Sequence, residues 1–160
     1  MPEVLNILVK TSPSTDGSIA KALEDDGHNV FVANRFFQAS ACCARNKIDL
    51  YIVDLYDKDS YLTDFDESSV KEATVTSFGN LAGYIWLKRY IYPNSKDQEE
   101  EKRRTMIFCY GHYFLEAFTQ LIGEDDLKGI TVLNYLKCAD KEGGFIGEIK
   151  KKISELQKTN

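Results

Sequence analysis

One carboxylate stands directly after an apolar run in the first third of the chain. Residues 50–53 are Leu-Tyr-Ile-Val, without polar alternation, and Asp54 follows them. A run of this kind between charged residues is typical of a strand that is buried on both faces, as in the middle of a parallel sheet. Because ligands of open α/β sheets bind beyond the carboxyl ends of the strands, Asp54 is the first candidate for a functional role.

The other nucleophiles and metal-ligating residues form no recognisable constellation. The four cysteines have no CxxC spacing, and neither of the two histidines stands in a catalytic motif with a serine or cysteine. This ligand inventory is poor for a metal ion. We therefore predict no metal site, no hydrolase chemistry, and four cysteines that stay reduced as small apolar side chains: Cys42, Cys43, Cys109 and Cys138.

The composition predicts one soluble domain over residues 1–160. Hydrophobic residues make up 43% of the chain and charged residues 28%, as in ordinary globular proteins. The net charge of -5 weighs against binding to nucleic acid. The amino terminus has neither a basic leader nor a long apolar segment, so we expect a cytoplasmic chain without membrane association.

Hydrophobic periodicity predicts the elements that position Asp54. Apolar or β-branched runs predict five strands, at residues 4–9, 29–33, 48–54, 106–109 and 130–136. Apolar residues at helical spacing predict amphipathic helices between these strands and after the last one. Strands that alternate with helices form βαβ units, so we expect a five-stranded, doubly wound parallel sheet with helices on both faces.

Three stretches depart from a minimal alternation. Residues 58–67 predict an acidic surface loop, and residues 69–93 a long third helix that opens with a capping box and ends at a proline. Gly79 and Gly83 inside this helix indicate a close approach to another backbone or a bend. The charged residues 94–104 predict a solvated, partly mobile excursion.

The order of these motifs resembles the receiver domain of bacterial response regulators, the CheY-like family. The resemblance covers most of the chain and is carried by GHNVFVA (27–33), DLYIVDLY (49–56), GYIWLKRYI (83–91) and IFCYG (107–111). It implies the flavodoxin/CheY-like strand order 2-1-3-4-5. In receivers the aspartate after the third strand accepts a phosphoryl group, and Asp54 matches it by position. Lys137 lies at or within one residue of the place of the family's lysine.

The chain departs from the receiver pattern where the family holds a divalent cation. Receivers have an acidic pair after the first strand, and this chain has Lys10 and Thr11; at the fourth strand's end the larger Tyr110 replaces a small hydroxyl residue. Lys10 could pair with Asp54 and balance its charge. We therefore predict a non-catalytic pseudo-receiver in which magnesium-dependent phosphorylation of Asp54 is lost or impaired.

Two alternatives concern the same aspartate. Asp57 and Asp59 could supply replacement ligands for a cation. Equally, Asp54 could simply cap a strand end against Lys10 or Lys137 without any chemistry.

The resemblance also implies a partner surface. Receivers signal through the face built from the fourth helix, the fifth strand and the fifth helix. We expect a protein partner or a homodimer there, with four candidate contact aromatics, although aromatics at helical spacing are also usual core residues. They are Tyr113, Phe114, Phe118 and Tyr135.

A different class of function is suggested by the segment after the first strand. It is similar to the hydroxyl-rich phosphate cradle of flavodoxin-like proteins, where backbone N–H groups at a helix start bind the phosphate of FMN. The cradle residues would be Thr11, Ser12, Ser14, Thr15 and Gly17, with Tyr56, Tyr61 and Tyr110 able to flank a flavin. Asp16 would repel the phosphate, and serine and threonine are also ordinary helix caps.

A third resemblance is to nucleoside deoxyribosyltransferases, through residues 80–84. That family needs a catalytic glutamate just before the Gly-Tyr pair, and this chain has Leu81 there. The nucleoside-processing interpretation therefore ranks below the other two.

Overall fold

The computed structural model describes residues 3–11, 17–56, 81–109, 119–120, 122–135, 137–140 and 142–158. The strands are β1 (Asn6–Lys10), β2 (Asn29–Ala33), β3 (Leu50–Asp54), β4 (Thr105–Cys109) and β5 (Thr131–Asn134). The α-helices are α1 (Ser18–Asp25), α2 (Phe36–Arg45), α3 (Ala82–Trp86), α4 (Gln98–Arg103), α5 (Glu124–Leu127) and α6 (Gly144–Lys158). A π-helical turn (Leu87–Ile91) and a 3-10 turn (Tyr92–Asn94) extend α3, and a second 3-10 turn (Lys137–Asp140) follows β5.

The five strands form one parallel sheet in the order β2-β1-β3-β4-β5. This confirms the predicted doubly wound sheet. The central strand β3 is buried at every residue, as its uninterrupted apolar run predicts. β1 and β4 lie on its two sides, so the carboxyl ends of β1, β3 and β4 meet at one edge.

Alternation along the strands divides the core into two layers. Leu8, Val53 and Ile107 pack against α2 and α3 on one face of the sheet. Val9 and Ile52 pack against α1 and α6 on the other. Consecutive side chains at each strand end therefore point to opposite layers. This alternation fixes the directions of the charged side chains at the edge.

The charged run 94–104 is not the predicted mobile excursion. It contains α4, whose residues 100–103 are half-buried. The Asp97 side chain caps this helix by accepting a hydrogen bond from the Glu100 N–H at 3.2 Å. Acidic residues fill the first turn and basic residues the last, the distribution that the helix dipole favours. The charged residues, which predicted a solvated segment, therefore favour a capped helix through their order along the chain.

The predicted helix over residues 69–93 is described from Ala82 onward, where it ends in the π and 3-10 turns near Pro93. The acidic loop at residues 58–67 and the first part of this helix lie outside the described residues. Among the helices described, none is long and apolar enough to cross a membrane.

Candidate functional site

Asp54 ends the central strand, as predicted, and is buried, with 2% of its surface exposed. Its Oδ1 atom accepts a hydrogen bond from the backbone N–H of Tyr56 at 3.0 Å. This bond closes a tight turn directly after the strand, of the kind aspartate favours. The carboxylate is thereby held at the carboxyl edge of the sheet.

The start of α3 packs directly on this turn. The N–H of Gly83 donates to the carbonyl of Leu55 at 3.0 Å. A Cβ atom at position 83 would collide with the backbone carbonyl oxygen of Asp54. The close backbone approach predicted for this glycine is confirmed, while Gly79 lies outside the described residues.

Lys10 is fully buried at the end of β1 and points toward α2. Its Nζ atom lies 4.2 Å from the centroid of the Phe36 ring, a cation–π geometry. Lys10 pairs with Val53 in the sheet register and shares the face of Leu8. Asp54, one residue beyond Val53, belongs to the opposite face. The pairing of Lys10 with Asp54 stays a prediction.

The ring beneath Lys10 belongs to an aromatic pair that the sequence alone does not reveal. Phe36 and Trp86 lie with ring centroids 5.6 Å apart, and the Trp86 indole Nε1–H donates to Ser40 Oγ at 2.9 Å. Phe36 and Ser40 are four residues apart, so they share one face of α2. That spacing was the signal available in the sequence. This series of contacts, from Ser40 through Trp86 and Phe36 to Lys10, links α2, α3 and β1.

The proposed phosphate cradle is only partly described. Thr11 is buried, and its backbone N–H already donates to the carbonyl of Ala33 at 3.1 Å. Gly17 is the residue before α1 and has φ of -82°. Residues 12–16, with Ser12, Ser14 and Thr15, lie outside the described residues. FMN binding there stays a prediction.

The far side of the edge is formed by β4 and β5. Burial, and next the nearby charge of Asp54, raise the pKa of the Cys109 thiol to about 11. Asn134 is buried, and its side-chain oxygen accepts from the Lys137 N–H at 3.3 Å. The Lys137 side chain is exposed at the start of a 3-10 turn. Tyr110, the predicted hydroxyl position, lies outside the described residues.

Of the four candidate contact aromatics, Tyr135 is the one within the described residues. It is half-buried and packs on Phe145 of α6, with ring centroids 4.9 Å apart. It therefore contributes to the core on the α6 face. Tyr113, Phe114 and Phe118 fall outside the described residues, as does Tyr61 of the flavin hypothesis.

The described residues of the edge fit a magnesium ion poorly. Magnesium takes oxygen ligands and usually one or two carboxylates. Among the described residues of this edge, Asp54 supplies the carboxylate, and the neighbouring strand β1 ends in Lys10, which carries an ammonium group. Across the described ranges, no three His, Cys, Asp or Glu side chains are grouped to hold a metal ion. Asp57 and Asp59 lie outside these ranges.

Comparison with known proteins bears on the fold. No protein-family model and no curated protein matches the sequence. The structure is similar to a solved structure, the Francisella response regulator 1452 receiver domain, with a TM-score of 0.52 and 16% sequence identity over 97% of this chain and 98% of that chain. The chain has the receiver fold. At this identity the likeness concerns the fold alone, and it agrees with the strand order 2-1-3-4-5.

Asp54 ends the third strand of this fold, and its match to the phospho-acceptor of receivers stays a prediction. Lys10 ends the first strand and Thr11 follows it, and their match to the acidic pair of receivers likewise stays a prediction. The functional interpretation therefore depends on what a buried lysine does at that position.

Proposed function

We propose that the chain is a pseudo-receiver, a regulatory domain that acts through protein–protein contacts and in which magnesium-dependent phosphorylation of Asp54 is lost or impaired. The observation that carries this proposal is the burial of Lys10, whose ammonium group lies over Phe36 where the receiver pattern places a carboxylate.

The physical argument concerns charge. A phosphoryl donor is an anion, and its approach to the Asp54 carboxylate is repulsive unless a cation neutralises the site. Receivers supply that cation with their acidic pair. Lys10 removes one carboxylate from the pair and adds a positive charge, which repels a divalent cation by about 1 kcal/mol or more at short range even in high dielectric.

A mass measurement tests the loss of phosphorylation. The protein is incubated with magnesium and acetyl phosphate, and its intact mass is recorded beside that of Asp54→Ala. We expect no adduct that depends on Asp54. A stable phosphoryl adduct on the wild type that disappears in Asp54→Ala overturns the proposal.

A matched variant tests the cause. Lys10→Asp combined with Thr11→Asp restores the acidic pair, and we expect this protein to gain magnesium binding, measured by calorimetry, that the wild type lacks. Asp54→Ala in the same background should weaken the new site. Tight magnesium binding by the wild type contradicts the proposal, and the mass measurement above stands even if the double variant does not fold.

The interaction part of the proposal requires a protein partner or a second copy of the chain. Light scattering over a concentration series reports homodimer formation, and cross-linking followed by pull-down reports another protein. A strict monomer that captures no partner would contradict the regulatory part of the proposal while leaving the chemistry of Asp54 to the mass measurement.

A further inference from the structure

A second site lies on the other side of the sheet from Asp54. A cavity of about 460 Å³ opens between α2, the π-helical turn and α4, above the first half of β3. Its volume is in the range of small-molecule sites. Its lining includes Ser40, Cys43, Tyr51, Tyr90, Ile91 and Glu101. Tyr51 precedes Asp54 by three residues on β3, a separation of about 10 Å, and points to the opposite face.

The cavity contains a carboxyl group that lacks a full set of partners. The Oε2 atom of Glu101 is buried and is without a hydrogen-bond partner among the described residues. The Tyr51 phenol lies close enough to the Glu101 carboxyl group to influence its pKa. A buried polar oxygen without a partner is rare in a folded protein and costs about 1–3 kcal/mol. The cavity therefore offers an acceptor to a ligand.

Arg104, whose charge acts on the Glu101 carboxyl, makes its hydrogen bonds elsewhere. Arg104 Nε donates to Glu100 Oε1 at 2.9 Å, and its Nη1 donates to the Asp49 carbonyl at 3.1 Å. These bonds engage the Arg104 guanidinium with acceptors other than Glu101 Oε2. The carboxyl of Glu101 keeps an unused acceptor although a cation lies nearby.

The walls suit the body of an organic ligand. Tyr51 and Tyr90 provide aromatic surface, and Ile91 provides aliphatic surface. Tyrosine rings also attract cations through their faces. The π-helical turn at Leu87–Ile91 inserts an extra residue into the helix, a distortion that is frequent at functional sites.

We propose that this cavity binds a small organic cation, a primary amine on an aromatic or aliphatic body, whose ammonium group donates to Glu101 Oε2 while the body lies between Tyr51 and Tyr90. This assignment does not depend on the pseudo-receiver proposal, because the cavity residues take no part in the chemistry proposed for Asp54 and Lys10.

The test uses three probes of one shape: phenethylamine, the neutral 2-phenylethanol and the anionic phenylacetate. Binding is followed at pH 8 by the backbone amide NMR shifts of the cavity residues. We expect phenethylamine to bind with a dissociation constant on the order of 1 mM, as small fragments do. The neutral and anionic probes should bind at least about tenfold more weakly, the effect of one charge-assisted hydrogen bond.

Variants distinguish the contribution of the Glu101 carboxyl group to binding from that of the space in the cavity. Glu101→Gln should lower the affinity for phenethylamine at least about tenfold, as expected for the loss of a charge-assisted hydrogen bond. Glu99→Gln changes an exposed residue of the same helix and should bind like the wild type. Ala44 is exposed at the cavity wall, so Ala44→Phe fills the cavity with little effect on the core and should abolish binding.

Three outcomes would overturn the proposal. They are equal binding of the neutral probe, unchanged binding by Glu101→Gln, and the absence of any saturable shift with phenethylamine. The last result would mean that water alone satisfies Glu101 Oε2.

Discussion

A Cβ atom at Gly83 would collide with the backbone carbonyl oxygen of Asp54, which joins the start of α3 to the end of the central strand. A Cβ atom is fixed to the backbone and the Asp54 oxygen is part of it, so neither atom can avoid the collision by a side-chain rotation.

We therefore expect Gly83→Ala to lower the free energy of unfolding by about 1–3 kcal/mol, the usual cost of overpacking. Chemical denaturation followed by circular dichroism measures the change. Gly17→Ala is the matched control, because no described atom lies within 4 Å of a Cβ there and its φ is -82°. Equal stability of the two variants would show that α3 does not pack as closely on Asp54.

Trp86 is the chain's single tryptophan, and Ser40 accepts its indole N–H. Because the Trp86 side chain is buried, Ser40→Ala leaves a buried donor unpaired, and we expect a loss of about 1–3 kcal/mol. Ser154→Ala, on the exposed side of α6, should change stability by less than about 0.5 kcal/mol.

A double-mutant cycle tests whether the loss of stability in Ser40→Ala comes from its hydrogen bond with Trp86. In Trp86→Phe the donor is absent, so adding Ser40→Ala should cost clearly less than it does in the wild type. Circular dichroism serves as the readout for the whole cycle, since Trp86→Phe has no tryptophan. An identical cost in both backgrounds would mean that the hydrogen bond contributes nothing.

Glu101 makes stability depend on pH. Burial raises the pKa of Glu101 above 4.5, opposed by the Tyr51 phenol and the charges of Arg104 and Lys47, while Glu100 raises it further. The folded state therefore binds more protons than the unfolded state just above pH 4.5, and the Glu101 contribution to stability falls as pH rises through that window. Glu101→Gln does not titrate, so its stability relative to the wild type should rise between pH 4 and pH 7.

Denaturant unfolding followed by Trp86 fluorescence at several pH values measures this difference. Glu99→Gln, which changes an exposed carboxylate on the same helix, should differ from the wild type by a nearly constant amount. A fall in the stability of Glu101→Gln relative to the wild type as pH rises would contradict a pKa raised by burial.

Asp97 caps α4, the helix that carries Glu101. Asp97→Ala removes the acceptor for the Glu100 N–H, and we expect a loss of about 0.5–2 kcal/mol. Asp97→Asn keeps a capping oxygen and should retain most of the stability. Equal losses in both variants would indicate that charge near the helix dipole, and not the cap, stabilises α4.

The sequence alone determined the sheet. The apolar runs that end at Lys10, Asp54 and Cys109 identify three strands, because a strand buried on both faces requires consecutive apolar residues and that requirement is local. That these strands are neighbours was implied by the resemblance to receivers. Because Asp54 follows the third apolar run, the sequence placed it at the carboxyl edge of the sheet. Gly83, a glycine inside a predicted helix, indicated a close approach to another backbone or a bend. Helix α4 was missed because its charges were interpreted as a sign of solvation, when their order along the run matched a capped helix.

Only the tertiary structure decided what surrounds these residues. The strand register turns Lys10 toward Phe36 and away from the face of Asp54, and the fold buries one oxygen of Glu101. Both results depend on contacts between segments far apart in the chain. Local patterns specify which residues are buried, but the partner of a buried charge is fixed by how separate elements pack together.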